Sequence, residues 1–170
     1  MTELHWRAAT DAGSYDGTAL ISVGQGAVHL RTDLPAGTLE NAVATLSWPM
    51  AENEKIFMNG YQTWTECPEL PKWGRQRGTD HIPKFLLDKY AFDRYGDYHF
   101  VPYGHQKGQS HGFSYCYFRK GKQFRLVASL DETPGYTILR YDSRKSLLTL
   151  ERDCAGVKHP CLLYTSPSPR

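Results

Sequence analysis

The stretch from Phe113 to Asp153 decides the fold, and it reads FSYCYFRKGKQFRLVASLDETPGYTILRYDSRKSLLTLERD. It holds four short runs rich in apolar, aromatic and β-branched residues: Phe113–Arg119, Phe124–Leu130, Tyr136–Tyr141 and Leu147–Asp153. The runs begin about 11 residues apart and are separated by Gly121, Pro134-Gly135 and Asp142-Ser143, a spacing typical of strands joined by turns. The pattern predicts consecutive strands that pair in antiparallel fashion.

Further strands are predicted on the N-terminal side of this stretch. The candidates are Asn41–Trp48, Tyr98–Tyr103, and the pair Ala19–Val23 and Ala27–Leu30 that flanks the loop Gly24-Gln25-Gly26. Only His81–Lys89 predicts a helix, of one or two turns, because Pro83 suits a first helical turn. Residues 67–79 are predicted to be a long polar loop. The fold class is therefore all-β, an antiparallel sandwich with at most one short helix.

Composition limits the kinds of protein that this chain can be. It has 170 residues, 40% of them hydrophobic and 22% charged, which predicts one or at most two compact domains. The formal charge of +2 is spread along the chain and argues against nucleic acid as a partner. No run approaches the ~20 apolar residues of a membrane helix and no signal-peptide core is present, so a cytoplasmic protein is expected. The cysteines are predicted to be free thiols: Cys67, Cys116, Cys154 and Cys161.

The segment Phe57–Glu69, FMNGYQTWTECPE, is the densest group of chemically distinctive side chains. Asn59-Gly60 lies between two apolar runs, which predicts a two-residue hairpin turn with positive φ at both central positions. The hairpin alone does not account for an amide, a phenol, an indole and a carboxylate so close together. A sugar presents apolar C–H faces to aromatic rings and hydroxyls to amide groups, so this mixture suits carbohydrate.

This segment resembles the asparagine-glycine-aromatic-glutamine-serine/threonine-tryptophan motif in the N-terminal domain of family thirty-six glycoside hydrolases, which are α-galactosidases. Three later segments fit the same domain in the same order: Lys89–Val101, His111–Tyr115 and Ala128–Glu132. The resemblance covers roughly residues 19–158 and is most specific at the first motif. It implies an antiparallel β-supersandwich of the galactose-mutarotase-like type that packs against a catalytic (β/α)₈ barrel.

The same resemblance implies a role in sugar binding. Trp64 is assigned to the wall of the galactose pocket, with Tyr61 and Gln62 as supports and Asn59 shaping the turn. The alternative for Trp64 is a core indole that holds the hairpin to its sheet. Tyr61 stands where some relatives have tryptophan, which leaves a direct sugar contact by this residue open.

The implied activity of the parent enzyme is retaining hydrolysis of terminal α-linked galactose, without a cofactor. That reaction needs two carboxyl groups about 5–5.5 Å apart. The family carries them on barrel strands, and the carboxylates of this chain match no catalytic motif: Asp88, Asp93, Asp97, Asp131 and Glu132. The chain alone is thus expected to be inactive. The parent enzyme is expected to act on an α-galactoside, and a homo-oligomer is one arrangement that the parent enzyme could have. The alternative from another class is a free-standing β-sandwich module that binds carbohydrate or protein.

Two further features of the sequence concern the histidines and the end of the chain. His99, His105 and His111 recur every six residues, but no H-x-H pair accompanies them and no metal site is predicted. The residues after 158 end in the low-complexity run Thr165–Arg170, so we expect a sandwich domain over 1–158, cut in mid-fold, and a tail over 159–170.

Overall fold

A computed structural model describes residues 2–21, 39–60, 67–76, 82–90, 106–133 and 135–154. This part of the chain forms ten strands and one helix, which confirms the predicted all-β class. The strands are β1 (Thr2–Thr10), β2 (Gly13–Ile21), β3 (Leu39–Ser47), β4 (Lys55–Met58), β5 (Leu70–Pro71), β6 (Gln109–Phe113), β7 (Tyr115–Lys120), β8 (Gln123–Ala128), β9 (Tyr136–Asp142) and β10 (Leu147–Asp153). The helix is α1 (Lys84–Tyr90).

The strands form two sheets in which every pair is antiparallel. The larger sheet has the order β2-β1-β3-β10-β9-β6, and the smaller has the order β5-β4-β7-β8. Alternation along each strand sends one set of side chains into the space between the sheets. In β7, Cys116 and Phe118 are fully buried while Tyr115 is exposed. The two sheets therefore share one hydrophobic core.

The centre of the core is a set of aromatic contacts between the sheets. Phe118 of the smaller sheet meets Tyr141 of the larger sheet edge to face, with ring centroids 5.0 Å apart, and lies 5.6 Å from Trp48. The Tyr141 hydroxyl donates a hydrogen bond of 2.9 Å to the carbonyl oxygen of Trp48. Burial of this phenol raises its pKa to about 12, so it stays protonated and keeps donating.

Most strand predictions that fall on described residues are confirmed. Leu147–Asp153 is observed with the predicted bounds, and β3, β8 and β9 match the predicted runs to within a few residues. The predicted helix is present but begins at Lys84, one residue after Pro83. Tyr98–Tyr103, most of the predicted Gly24-Gln25-Gly26 hairpin, and residues 155–170 lie outside the described residues.

The prediction of one continuous strand over Phe113–Arg119 is wrong. Phe113 ends β6 in the larger sheet, Tyr115 begins β7 in the smaller sheet, and Ser114 between them has a φ of 62°. A positive φ turns the backbone out of its strand, so the chain changes sheets at this residue. The polar loop predicted over 67–79 contains a short strand, because Leu70 and Pro71 pair with β4 as β5.

The described helix, α1, has seven residues, and no helix in the described part of the chain has the length and apolar character of a membrane span.

Phe118 supplies a direct test of the core. It is fully buried between two aromatic rings, so Phe118→Ala leaves a cavity, and we expect the free energy of unfolding to fall by about 3–5 kcal/mol. Urea denaturation followed by tryptophan fluorescence measures this change. Phe85→Ala is the matched control, because the same ring on α1 is 69% exposed and its loss should cost about 0.5 kcal/mol or less. Equal losses in the two variants would contradict the assigned core.

Candidate functional site

The structure places one of the four predicted site residues. Asn59 is described and follows the last residue of β4, whereas Tyr61, Gln62 and Trp64 lie outside the described residues. The site is therefore built from the two ends of the Phe57–Glu69 motif, which are both described. Each end is attached to β7 or to the sheet-changing corner at Ser114.

Asn59 is bonded to both sides of that corner. Its backbone N–H donates to the carbonyl oxygen of Tyr115 at 3.2 Å, and its carbonyl oxygen accepts from the N–H of Phe113 at 2.8 Å. Its side-chain Nδ2 donates to the carbonyl oxygen of Phe113 at 3.0 Å. The side chain thus supports the backbone at the corner and is a positioning group.

The predicted two-residue hairpin at Asn59-Gly60 is wrong in its register. Such a hairpin would place Thr63 opposite Ile56, but the partner of Ile56 on that side is Leu70 of β5. Among the described residues other than glycine, positive φ occurs at Ser114 and Ser146, so Asn59 lacks the conformation that a type I′ turn requires. The tertiary contacts of Asn59 with the corner outweigh the local turn preference of Asn-Gly.

Close packing beneath the motif depends on a glycine. A side chain at Gly112 would place its Cβ 2.7 Å from the Asn59 carbonyl oxygen and 2.8 Å from the Met58 Cβ. Real Cβ contacts are not this short, so only glycine lets β6 approach the end of β4 this closely. Nothing in the sequence around Gly112 predicts this role, because its φ is ordinary and the need arises from a neighbour 53 residues away.

The other end of the motif is fixed by Cys67 and Glu69. The Gly60 N–H donates to the Cys67 Sγ at 3.1 Å, which brings the residues before and after 61–66 into contact. Glu69 accepts from Arg119 Nε at 2.6 Å, from Arg119 Nη2, and from the Tyr117 hydroxyl at 3.1 Å. This two-pronged pairing of a guanidinium with a carboxylate is directional and holds the chain before β5 on the surface of β7.

The contacts of Glu69 with Arg119 and Tyr117 shift the pKa of the groups involved. Hydrogen bonding to Arg119, opposed by some burial, lowers the pKa of the Glu69 carboxyl to about 2. Burial, together with the bond to Glu69, raises the pKa of the Tyr117 hydroxyl. Glu69 is therefore a charged acceptor at neutral pH and is unsuited to act as a proton donor.

Aromatic rings cover the outer side of the smaller sheet beside this ion pair. Phe57 and Tyr117 lie nearly parallel with centroids 4.8 Å apart, so each ring covers one face of the other. Tyr115 stacks on Phe57 at 6.0 Å and Phe124 meets Tyr117 edge to face at 5.6 Å. These rings strengthen the pairing of β4, β7 and β8. Because Phe57 and Tyr117 each have a face occupied by the other ring, they are a poor stacking platform for a sugar.

Two of the carboxylates considered in the sequence have structural partners. Asp131 accepts the Thr133 N–H at 2.8 Å, a turn contact, and Glu132 accepts the Thr137 N–H at 2.8 Å. Asp88 lies on α1. No group of three or more His, Cys, Asp or Glu residues in the described ranges is arranged to hold a metal ion.

Three basic residues, Lys72, Arg75 and Arg77, lie close together in the sequence beside Trp73, and Lys72 makes contacts that the structure shows. Lys72 pairs with Glu52 at 2.6 Å and lies 5.4 Å from the centre of the Trp73 ring. Its carbonyl oxygen accepts a hydrogen bond from the Ser143 hydroxyl. Arg77 is outside the described residues.

Asn59 variants test the corner contact. Asn59→Ala removes the bond from Nδ2 to the Phe113 carbonyl oxygen and should lower the free energy of unfolding by about 1 kcal/mol. Asn59→Asp puts a carboxylate against that carbonyl oxygen and should cost more, about 2 kcal/mol at pH 7. Urea denaturation of both variants measures these changes in the free energy of unfolding. An aspartate variant as stable as wild type would show that the bond is not formed.

The Glu69–Arg119 pair predicts a specific acid dependence. Because the pKa of Glu69 is about 2 in the fold against an ordinary 4.5, its contribution to stability is complete above pH 4.5 and is lost as pH falls toward 2. Glu69→Gln should therefore show a smaller decrease in Tm between pH 5 and pH 2 than wild type. Arg119→Met should flatten the same part of the profile, and a wild-type slope in both variants would refute the linkage.

The site therefore consists of a motif whose two ends are fixed. Asn59 is bonded to the corner at Ser114, and Glu69 is bonded to β7, the strand that follows this corner. No protein-family profile, no curated protein and no solved structure matches this chain.

Proposed function

We propose that this chain is the non-catalytic N-terminal β-sandwich of an α-galactosidase, and that its Phe57–Glu69 motif forms part of the wall of the sugar pocket. The parent enzyme hydrolyses terminal α-linked galactose with retention and without a cofactor. The proposal rests on the resemblance of the motif, and the all-β fold is compatible with it.

The observation that carries the proposal is the way in which the motif is attached. Asn59 is bonded to the corner residues, Cys67 is bonded back to Gly60, and Glu69 is paired with Arg119. A binding residue must be held in place by its surroundings for its contacts to contribute fully to affinity. Both ends of the motif are held in this way, and the residues that the proposal assigns to the pocket, Tyr61, Gln62 and Trp64, come between them in the sequence.

The residue types between the anchors suit a sugar ligand. An indole offers a flat apolar face to the C–H groups of a pyranose, and an amide offers one donor and one acceptor to adjacent hydroxyls. In this proposal Trp64 stacks on the galactose ring, Gln62 and Tyr61 support it, and Asn59 positions the segment. The two catalytic carboxyl groups come from the barrel of the parent enzyme.

A binding module is the second candidate function. It is favoured by the apolar side chains that β8 exposes, Phe124 and Leu126, which a purely structural domain has no need to present. The two candidates differ in what the full-length protein does. An α-galactosidase releases galactose from an α-galactoside, whereas a binding module has no such activity.

Trp64→Ala in the full-length protein that contains this sequence tests the first proposal. With p-nitrophenyl α-galactoside as substrate, we expect kcat/KM to fall about tenfold or more, as loss of ~1.4 kcal/mol of transition-state contact implies. Tm should change little, because a side chain in a pocket wall contributes little to the core.

Trp73→Ala is the matched control for this measurement. Trp73 is 48% exposed and lies outside the motif, so its removal should leave kcat/KM unchanged. A Trp64→Ala enzyme that melts earlier but keeps the kcat/KM of wild type would identify Trp64 as a core indole. A wild-type protein with no activity on any α-galactoside would overturn the proposal in favour of the binding module.

A further inference from the structure

Strand β8 ends the smaller sheet, and among the described residues its one neighbour is β7. The N–H of Ser129 donates to the carbonyl oxygen of Ser114. This bond shows which residues of β8 direct their backbone groups toward β7. In an antiparallel ladder these residues alternate, so Val127 and Arg125 face β7 while Phe124, Leu126 and Ala128 direct N–H and C=O away from it. Within the described part of the chain, the outward groups of these three residues have no hydrogen-bond partner.

The corresponding edge of the larger sheet, strand β6, is closed. Its outward N–H groups belong to Gln109, His111 and Phe113, and all three are bonded. They donate in turn to the Gln106 carbonyl oxygen, the Gln76 Oε1 and the Asn59 carbonyl oxygen. The outward N–H groups of β6 are thus satisfied, whereas within the described residues those of β8 have no partner.

The open edge is also apolar. Phe124 is 61% exposed and Leu126 is 64% exposed, and both lie on the outer, aromatic side of the sheet. On the inner side, Arg125 is held by Glu54 at 2.7 Å and lies 5.0 Å from the centre of the Trp48 ring, so that side is already closed. An exposed hydrophobic edge strand is a template for pairing with another strand, and proteins normally cover it or break it with charge.

Charge at the two ends of β8 selects the partner. Lys122 precedes the strand and Asp131 follows it, whereas Lys120 ends β7 and Glu132 is already paired with Arg152 at 3.4 Å. A second β8 that runs antiparallel brings the basic start of each strand next to the acidic end of the other. The strand is therefore complementary to itself in charge as well as in backbone pattern.

We propose that two copies of this chain associate through β8, in antiparallel pairing about a two-fold axis at Leu126. This register is the one that pairs all three outward residues with each other, Leu126 with Leu126 and Phe124 with Ala128. It also places Arg125 opposite Val127, so the two arginines do not face each other. The result is a continuous eight-stranded sheet with the apolar side chains of both copies on one side.

Disulfide trapping tests both the pairing and its register. In the proposed dimer the Cα atoms of the two Leu126 residues are about 5.5 Å apart, which a disulfide can span. The two Phe124 residues are about 13 Å apart, because each is displaced four residues from the other along the strand. Under mild copper-phenanthroline oxidation, Leu126→Cys should form a covalent dimer on a non-reducing gel, while Phe124→Cys and the wild-type chain should not.

Light scattering after size-exclusion chromatography tests the association itself. The wild-type chain should be dimeric, and Leu126→Lys should raise the dimer Kd at least tenfold. Phe85→Lys is the matched control, since it makes the same change at an exposed apolar residue on α1 and should stay dimeric. Lys122→Glu and Asp131→Lys should each weaken the dimer, and the double variant should restore it.

Several results would overturn the proposal. A wild-type chain that is monomeric at about 100 μM, self-association unaffected by Leu126→Lys, or equal trapping through positions 124 and 126 would each exclude this interface. Loss of the dimer in Phe85→Lys as well would show that association is non-specific.

Discussion

The corner at Ser114 is the constraint on which the rest of the structure depends. There the chain leaves the larger sheet and enters the smaller one within a single residue. The Ser114 N–H donates to the Thr137 carbonyl oxygen, its own carbonyl oxygen accepts from Ser129, and Asn59 bonds on both sides of it. Because these bonds tie the corner to β9 and to the ends of β4 and β8, the spacing of the two sheets and the position of the motif are set together.

Sequence patterns predicted the strands that turn residues separate from their neighbours in the chain. Strand β10 is an apolar run that follows the turn residues Asp142-Ser143, so its limits could be predicted from its own sequence. The break between β6 and β7 could not, because Ser114 lies within a run that favours strand throughout and no glycine marks its positive φ. The apparent hairpin at Asn59-Gly60 failed for a related reason. Its local turn signal is real, but β5 and the corner occupy the positions that a hairpin would use.

The anchors of the motif show the same division between local and distant information. Asn59 stood out in the sequence because it is part of a recognisable motif. Glu69 lies in that motif too, yet its role depends on Arg119, 50 residues further along the chain. Gly112 also gave no signal of its own. A salt bridge and a steric fit of this kind follow from the register of strands, which a single sequence does not specify.

The side chain of Gln76 does for β6 what a further strand would do. Its carboxamide donates to the His111 carbonyl oxygen at 2.9 Å and accepts from the His111 N–H at 2.7 Å, in the pattern of one residue of a neighbouring strand. Any strand that approached this edge would first have to displace a buried amide. Together with the bonds of Gln109 and Phe113, this side chain blocks lateral growth of the larger sheet at β6, and hence polymerisation into a fibre through that edge.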